Sequence, residues 1–169
     1  MASILKPENY TISEDSLRIV NLLSGLLDRV EGVFEANGVP LPSRRYWMLG
    51  PEAPEDCAQV VVTFVSGTLG TPGSPERTAS NCTGMTTATI TVTVTRDHPV
   101  GPNGTPVNPK RIVEGSSWGA IDAATLLFNL QDITADPLLG FFEVTASVSV
   151  APPAGGVQTT TLTLGMAIP

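Results

Sequence analysis

Between Thr86 and Arg96 the chain alternates without a break. Ala88, Ile90, Val92 and Val94 take one parity; Thr87, Thr89, Thr91, Thr93 and Thr95 take the other. Successive side chains of a β-strand point to opposite faces, whereas helical neighbours recur at three and four residues. The segment is therefore a strand with one apolar face, the clearest in the chain, and it commits the protein to a sheet.

Other strands follow from the same reasoning. Cys57 to Val65 carries the run Val60-Val61-Val62-Thr63-Phe64-Val65, whose unbroken β-branched character predicts a central strand buried on both faces. With the alternating strand it makes a hairpin around a long polar loop, residues 67–83. Arg45 to Leu49 reads as a short strand. Phe142, Val144, Ala146, Val148 and Val150 alternate with polar residues, and after the turn Ala151–Gly156 a last strand carries Leu162, Leu164, Met166 and Ile168.

Helical periodicity appears twice. From Ser13 to Ala36, Leu17, Val20, Leu23, Leu27, Val30 and Phe34 form an apolar face. Thr11 and Ser13 can cap this helix, with Glu14 completing a capping box, and Asn37-Gly38 supplies a left-handed stop before Pro40 and Pro42. The second helix is expected to start at Ser116 or Ser117 and run to about Asp132. Trp118, Ile121, Leu126, Leu127, Phe128 and Leu130 leave it little polar face. Such a helix predicts packing on the sheet on one side and on a partner on another. Before it lies a second long loop, residues 97–116. Structureless connections beyond roughly 12–15 residues are uncommon in compact domains. Ordering of both loops by neighbouring subunits is preferred here to disorder.

The expected fold is α+β: one domain over residues 1–169, with a small mixed or antiparallel sheet of about five strands, two main helices and two long loops. Hydrophobic residues are 41% of the 169 and charged residues only 15%. That balance excludes intrinsic disorder and leaves a more neutral surface than most soluble domains have, which suits an assembly. The net charge of −7 disfavours phosphate binding and lets DNA pass without sticking. Met1-Ala-Ser-Ile-Leu-Lys-Pro lacks the features of a secretory signal, and no apolar run suggests a membrane span, so a soluble protein made in the cytoplasm is expected.

Chemistry is sparse. Gly115-Ser116-Ser117-Trp118-Gly119 matches a nucleophile-elbow pattern, with Ser117 as the candidate of a distant serine hydrolase reading. The sole histidine, His98, lies upstream, whereas that fold places it downstream. A helix-capping serine pair is the simpler reading. His98, Cys57 and Cys82 are isolated singletons without the paired spacing of a zinc site. A Cys57–Cys82 disulfide would need the first loop to fold back along the hairpin. Glu52, Glu55 and Asp56 sit in a proline-punctuated loop, with no facing acidic cluster to make a glycosidase pair. No catalytic residue, cofactor or metal is therefore expected. Arg44-Arg45-Tyr46-Trp47 is the one basic-aromatic cluster, and it fits either a protein contact or a strand with one buried aromatic face.

Taken together, the amphipathic first helix, Pro54-Glu55-Asp56-Cys57 opening a β-branched strand, Gly70-Thr-Pro-Gly73, Cys82, Arg96-Asp97-His98-Pro99 and the Ala/Leu-rich helix form an ordered set over residues 13–130. This set resembles the tail terminator proteins of long-tailed (siphovirus-type) phages of actinobacteria, although Arg96-Asp-His-Pro99 stands where that family has Arg-Cys-x-Pro. The resemblance implies a non-enzymatic virion protein of the tail and neck, made in the host cytoplasm. It would form a homo-hexameric ring that caps the tail tube, ends its polymerisation and joins the head–tail connector or stopper. DNA would pass through the channel without specific binding. Another neck protein, such as a head-completion, stopper or connector protein, is the alternative. Arg44, Arg45, Trp47, Trp118 and Phe128 are the candidate contacts with other subunits or partners.

Overall fold

The computed structural model describes residues 14–50, 57–69, 86–101, 105, 107–134, 144–154 and 156–168. The elements run in the order α1 (Glu14–Ala36), β1 (Arg44–Leu49), β2 (Gln59–Leu69), β3 (Thr86–Asp97), α2 (Pro109–Phe128), α3 (Leu130–Thr134), β4 (Val144–Val150) and β5 (Val157–Ile168). The five strands form one mixed sheet in the order β1-β2-β3-β5-β4. Only β1 and β2 are parallel; the other three pairings are antiparallel. The fold is thus α+β, with two long helices and one short one among the described residues.

Register explains the core. Val60, Val62 and Phe64 lie opposite Val94, Val92 and Ile90, which in turn face Thr160, Leu162 and Leu164. Same-parity residues therefore line one sheet face. There they pack with Leu22, Leu23, Leu26, Val30 and Phe34 of α1, Leu126 of α2 and Ile133 of α3. The β-branched run of β2 is buried on both faces, as its sequence predicts: Val61 and Thr63 point away from this core and are also fully buried.

Several boundaries differ from expectation. The strand expected from Cys57 starts at Gln59 and continues to Leu69, because residues 66–69 keep pairing with residues 86–89 beyond an irregularity at Phe64/Ser66. The loop expected at 67–83 accordingly begins later, and residues 70–85 lie outside the described residues. In α1 the buried stripe is rotated: Leu22, Leu26 and Val33 are buried, while Leu17 and Val20 are only partly so. Helix α1 packs on α3 as well as on β1 and β2, and Arg29 Nη1 donates to the Asp132 carbonyl at 3.4 Å. The expected caps Thr11 and Ser13 lie outside the described residues. The stop is as expected, with Gly38 at φ 66° and Asn37 Nδ2 donating to the Val33 carbonyl at 2.8 Å.

The largest correction concerns the second helix. It begins at Pro109, not at Ser116 or Ser117, and the segment expected to be a loop over 97–116 is shortened at both ends. Asn108 is the cap: its side chain accepts the Lys110 N–H at 2.9 Å, and Pro109 occupies the first turn, where no N–H is needed. Nor does the helix run unbroken to Asp132. Asn129 ends it by donating both its backbone N–H and its side-chain Nδ2 to the Thr125 carbonyl, and α3 then restarts at Leu130. At the other end of the chain, Phe142 and Glu143 lie outside the described residues. Within β4, an edge strand, Val144 and Val148 of the apolar parity pack against the core as expected, while Ala146 and Val150 of the same parity are exposed.

Candidate functional site

Helix α2 has two unlike sides, and their placement follows from its glycines. Gly119 presses against β5 and β4: a Cβ there would come within 2.8 Å of the Gln158 side chain and 3.0 Å of Val150 Cγ1. One turn earlier, a Cβ on Gly115 would lie 2.7 Å from Pro99 Cδ. The two glycines of Gly-Ser-Ser-Trp-Gly thus permit close approach of α2 to the sheet and to the segment that follows β3. Thr160 Oγ1 donates to the Gly119 carbonyl at 3.3 Å across the same contact.

The side of α2 turned inward carries Gly119, Asp122, Thr125 and Leu126, all buried. Asp122 is 1% exposed and receives two hydrogen bonds from Arg96 of β3, at 2.6 and 2.7 Å. The Arg96 guanidinium also lies 4.8 Å from the Trp118 ring centre, so one cation is held by a carboxylate and an aromatic face. Burial pushes the Asp122 carboxyl above the usual carboxylate range, and the hydrogen bonds and charge of Arg96 pull it partly back.

The opposite side is open and mostly apolar, interrupted by Ser117 and, in the first turn, by Lys110. At 100° per residue, Val113, Ala120, Ile121, Ala124, Leu127 and Phe128 fall within roughly 120° of one another and directly opposite the buried residues. Phe128 is 83% exposed, Val113 65% and Leu127 50%. Single exposed apolar residues need no explanation, but a stripe along a 20-residue helix marks an interaction surface.

Helix α1 shows water a different surface. Asn21, Asp28, Gly32 and Glu35 are exposed along it. At its C-terminal end an open groove of about 460 Å³ is lined by Glu31, Glu35, Gly38, Val39, Pro40, Leu41 and Arg45. Arg45 pairs with Glu31 across it at 3.1 Å, and Glu35 has no ion-pair partner among the described residues.

The five expected contact residues do not make one patch. Arg44 reaches Cys57 Sγ at 2.7 Å and lies 5.6 Å from the Tyr46 ring centre, whereas Arg45 is bound to Glu31 and to the Pro42 carbonyl. Trp47 packs against the core, the buried-aromatic reading of that strand. Trp118 is partly buried under Arg96, so only Phe128 belongs to the open stripe. Val113 was missed because it fell in the expected loop; Asn108-Pro109, a cap followed by a first-turn proline, was the signal that could have placed it in a helix.

Ser117 donates its hydroxyl to the Val113 carbonyl at 2.7 Å, one turn back in the helix. His98 Nε2 instead lies 3.4 Å from Ser116 Oγ. Both serines sit within α2 rather than at a strand-to-helix turn, so the elbow geometry is not formed at either. Cys57 Sγ accepts a hydrogen bond from Arg44, and Cys82, the other half of the disulfide considered from sequence, lies outside the described residues. Among the described residues, no three His, Cys, Asp or Glu side chains are grouped as a metal site would need, and no helix is long and apolar enough to cross a membrane.

Comparison with known proteins finds no protein-family model that matches this chain and no curated protein similar to it in sequence.

Proposed function

We propose that this chain is a structural subunit of the virion neck, a phage tail terminator whose copies close into a ring on the end of the tail tube. The observation that carries the reading is the open apolar stripe of α2, which ends in the exposed ring of Phe128. A folded subunit that leaves such a stripe bare gains by covering it with protein, and a repeated contact that closes on itself yields a ring. The ordered motifs of residues 13–130 support the assignment to a terminator rather than to another ring-former.

In this reading the ring is a homo-hexamer. One of its faces meets the tail tube protein and stops further addition, and the other meets the head–tail connector or stopper. The surplus of acidic over basic side chains, 16 against 9, leaves DNA free to slide through the channel. Deleting the gene from a phage that encodes it tests the assignment. Overlong tails are the expected result. Heads that leak DNA or lack tails would point to a head-completion or stopper protein, and tails of normal length on separated heads would contradict the terminator reading.

A further inference from the structure

Resting on the self-assembly proposed above, the geometry points to the surface that receives the α2 stripe: the outer face of α1 on a second copy of this chain. We infer that α2 of one copy lies antiparallel on α1 of another. Lys110 and Arg111 then sit at the Glu35 end, and Val113, three residues along α2, lies over Gly32, three residues back along α1.

Charge supports the pairing. Helix α2 has no acidic residue in its first turn and begins instead with the exposed cations Lys110 and Arg111, which oppose the positive end of its own dipole. Helix α1 has no basic residue in its last turn and carries Glu35 at its negative end, with Asp28 exposed two turns before. Each helix end breaks the electrostatic rule within its own subunit, and an antiparallel contact between copies corrects both. Such local conflicts are expected where a surface has a function.

Shape supports it independently. Gly32 sits in the interior of α1, where glycine is the poorest helix former after proline. A Cβ there would meet nothing within 4 Å, so packing inside the subunit does not require the glycine. A second helix drawn in close gives it a use, because the absent side chain lets Val113 of α2 sit down on the backbone. The two surfaces also belong to different parts of the subunit, since α1 overlies β1 and β2 while α2 overlies β5 and β4.

The test is sedimentation velocity on the purified full chain and three sets of variants. Gly32→Leu should abolish the assembled species while leaving the thermal midpoint unchanged or raised, so misfolding cannot account for the loss. Lys110→Glu/Arg111→Glu and Asp28→Lys/Glu35→Lys should each weaken assembly by roughly tenfold or more. An equal mixture of these two charge variants should recover it. Wild-type assembly that is indifferent to Gly32→Leu and to both charge reversals would overturn this contact and leave the ring reading standing. So would charge variants that fail to rescue one another. A wild-type chain that never assembles, alone or with tail tube protein, would overturn the ring reading and this inference together.

Discussion

Arg96 and Asp122 meet through two parallel hydrogen bonds, Nε to Oδ2 at 2.6 Å and Nη2 to Oδ1 at 2.7 Å, and so tie β3 to α2. This pair keeps the inner side of α2 against the sheet and its apolar stripe turned outward. It is also the strongest electrostatic link described between the sheet and a helix.

Replacing Arg96 by Met should destabilise the fold in a pH-dependent way. Removing one partner of a buried pair costs about 3 kcal/mol, because the other is left uncompensated. The variant also loses both influences that pull the Asp122 carboxyl down, so burial raises it further. A carboxyl whose pKa is higher folded than unfolded binds more proton in the native state, so stability falls as pH rises through that window. The window opens near the ordinary Asp value of about 3.9 and widens upward in the variant. The deficit in thermal midpoint relative to wild type should therefore grow between pH 4.5 and pH 8. A deficit that shrinks over that range would reverse the assignment.

Gly115→Ala and Ser117→Ala should separate packing from catalysis within one short motif. Alanine is the better helix former at both positions. At residue 115, however, its Cβ meets the rigid ring of Pro99, and overpacking of this kind costs about 1–3 kcal/mol. At residue 117 the side chain only bonds back to its own helix, so the change should stay within about 0.5 kcal/mol. Urea denaturation measures both. Esterase activity present in the wild type and lost in Ser117→Ala would support the hydrolase reading instead.

Thr63 and Thr95 bury their hydroxyls completely, and neither hydroxyl has a hydrogen-bond partner among the described residues. A buried polar group without a partner is destabilising, and valine has nearly the same shape. Thr63→Val and Thr95→Val should each stabilise the chain by about 1 kcal/mol in urea denaturation. Destabilisation by either would mean that its hydroxyl is satisfied in solution.

Much of this fold was legible in the sequence, for identifiable reasons. The parity of Ala88, Ile90, Val92 and Val94 became the core face of β3 because a period of two admits only one assignment of faces. Asn37-Gly38 ended α1 because Gly38 adopts a positive φ. The start of α2 was harder to see: Lys110, Arg111 and Glu114 interrupt the apolar pattern, and the preceding prolines and glycines resemble a continuing loop. The leucines of α1 allow two overlapping stripes, and its tertiary packing on β1, β2 and α3 decides between them. The Arg96–Asp122 pair joins residues 26 apart, but Arg96 shares the parity of Val94, and an arginine on an apolar face signals a buried partner. Exposure of the α2 stripe depends on tertiary placement and could not be read from its composition.

Phe128→Asp measures what the stripe is for. The side chain is largely in water in the single subunit, so the thermal midpoint of the dilute chain should barely change. Assembly should be lost, because an aspartate cannot be buried unpaired against an apolar surface.

Electron microscopy of the purified chain, in negative stain and beside Phe128→Asp, reads the outcome directly. Wild-type protein should form six-fold rings, alone or when driven by tail tube protein, and the variant should form none. A uniform 17.7 kDa species in the same preparation, unaltered by the substitution and indifferent to tube protein, would contradict an assembling subunit.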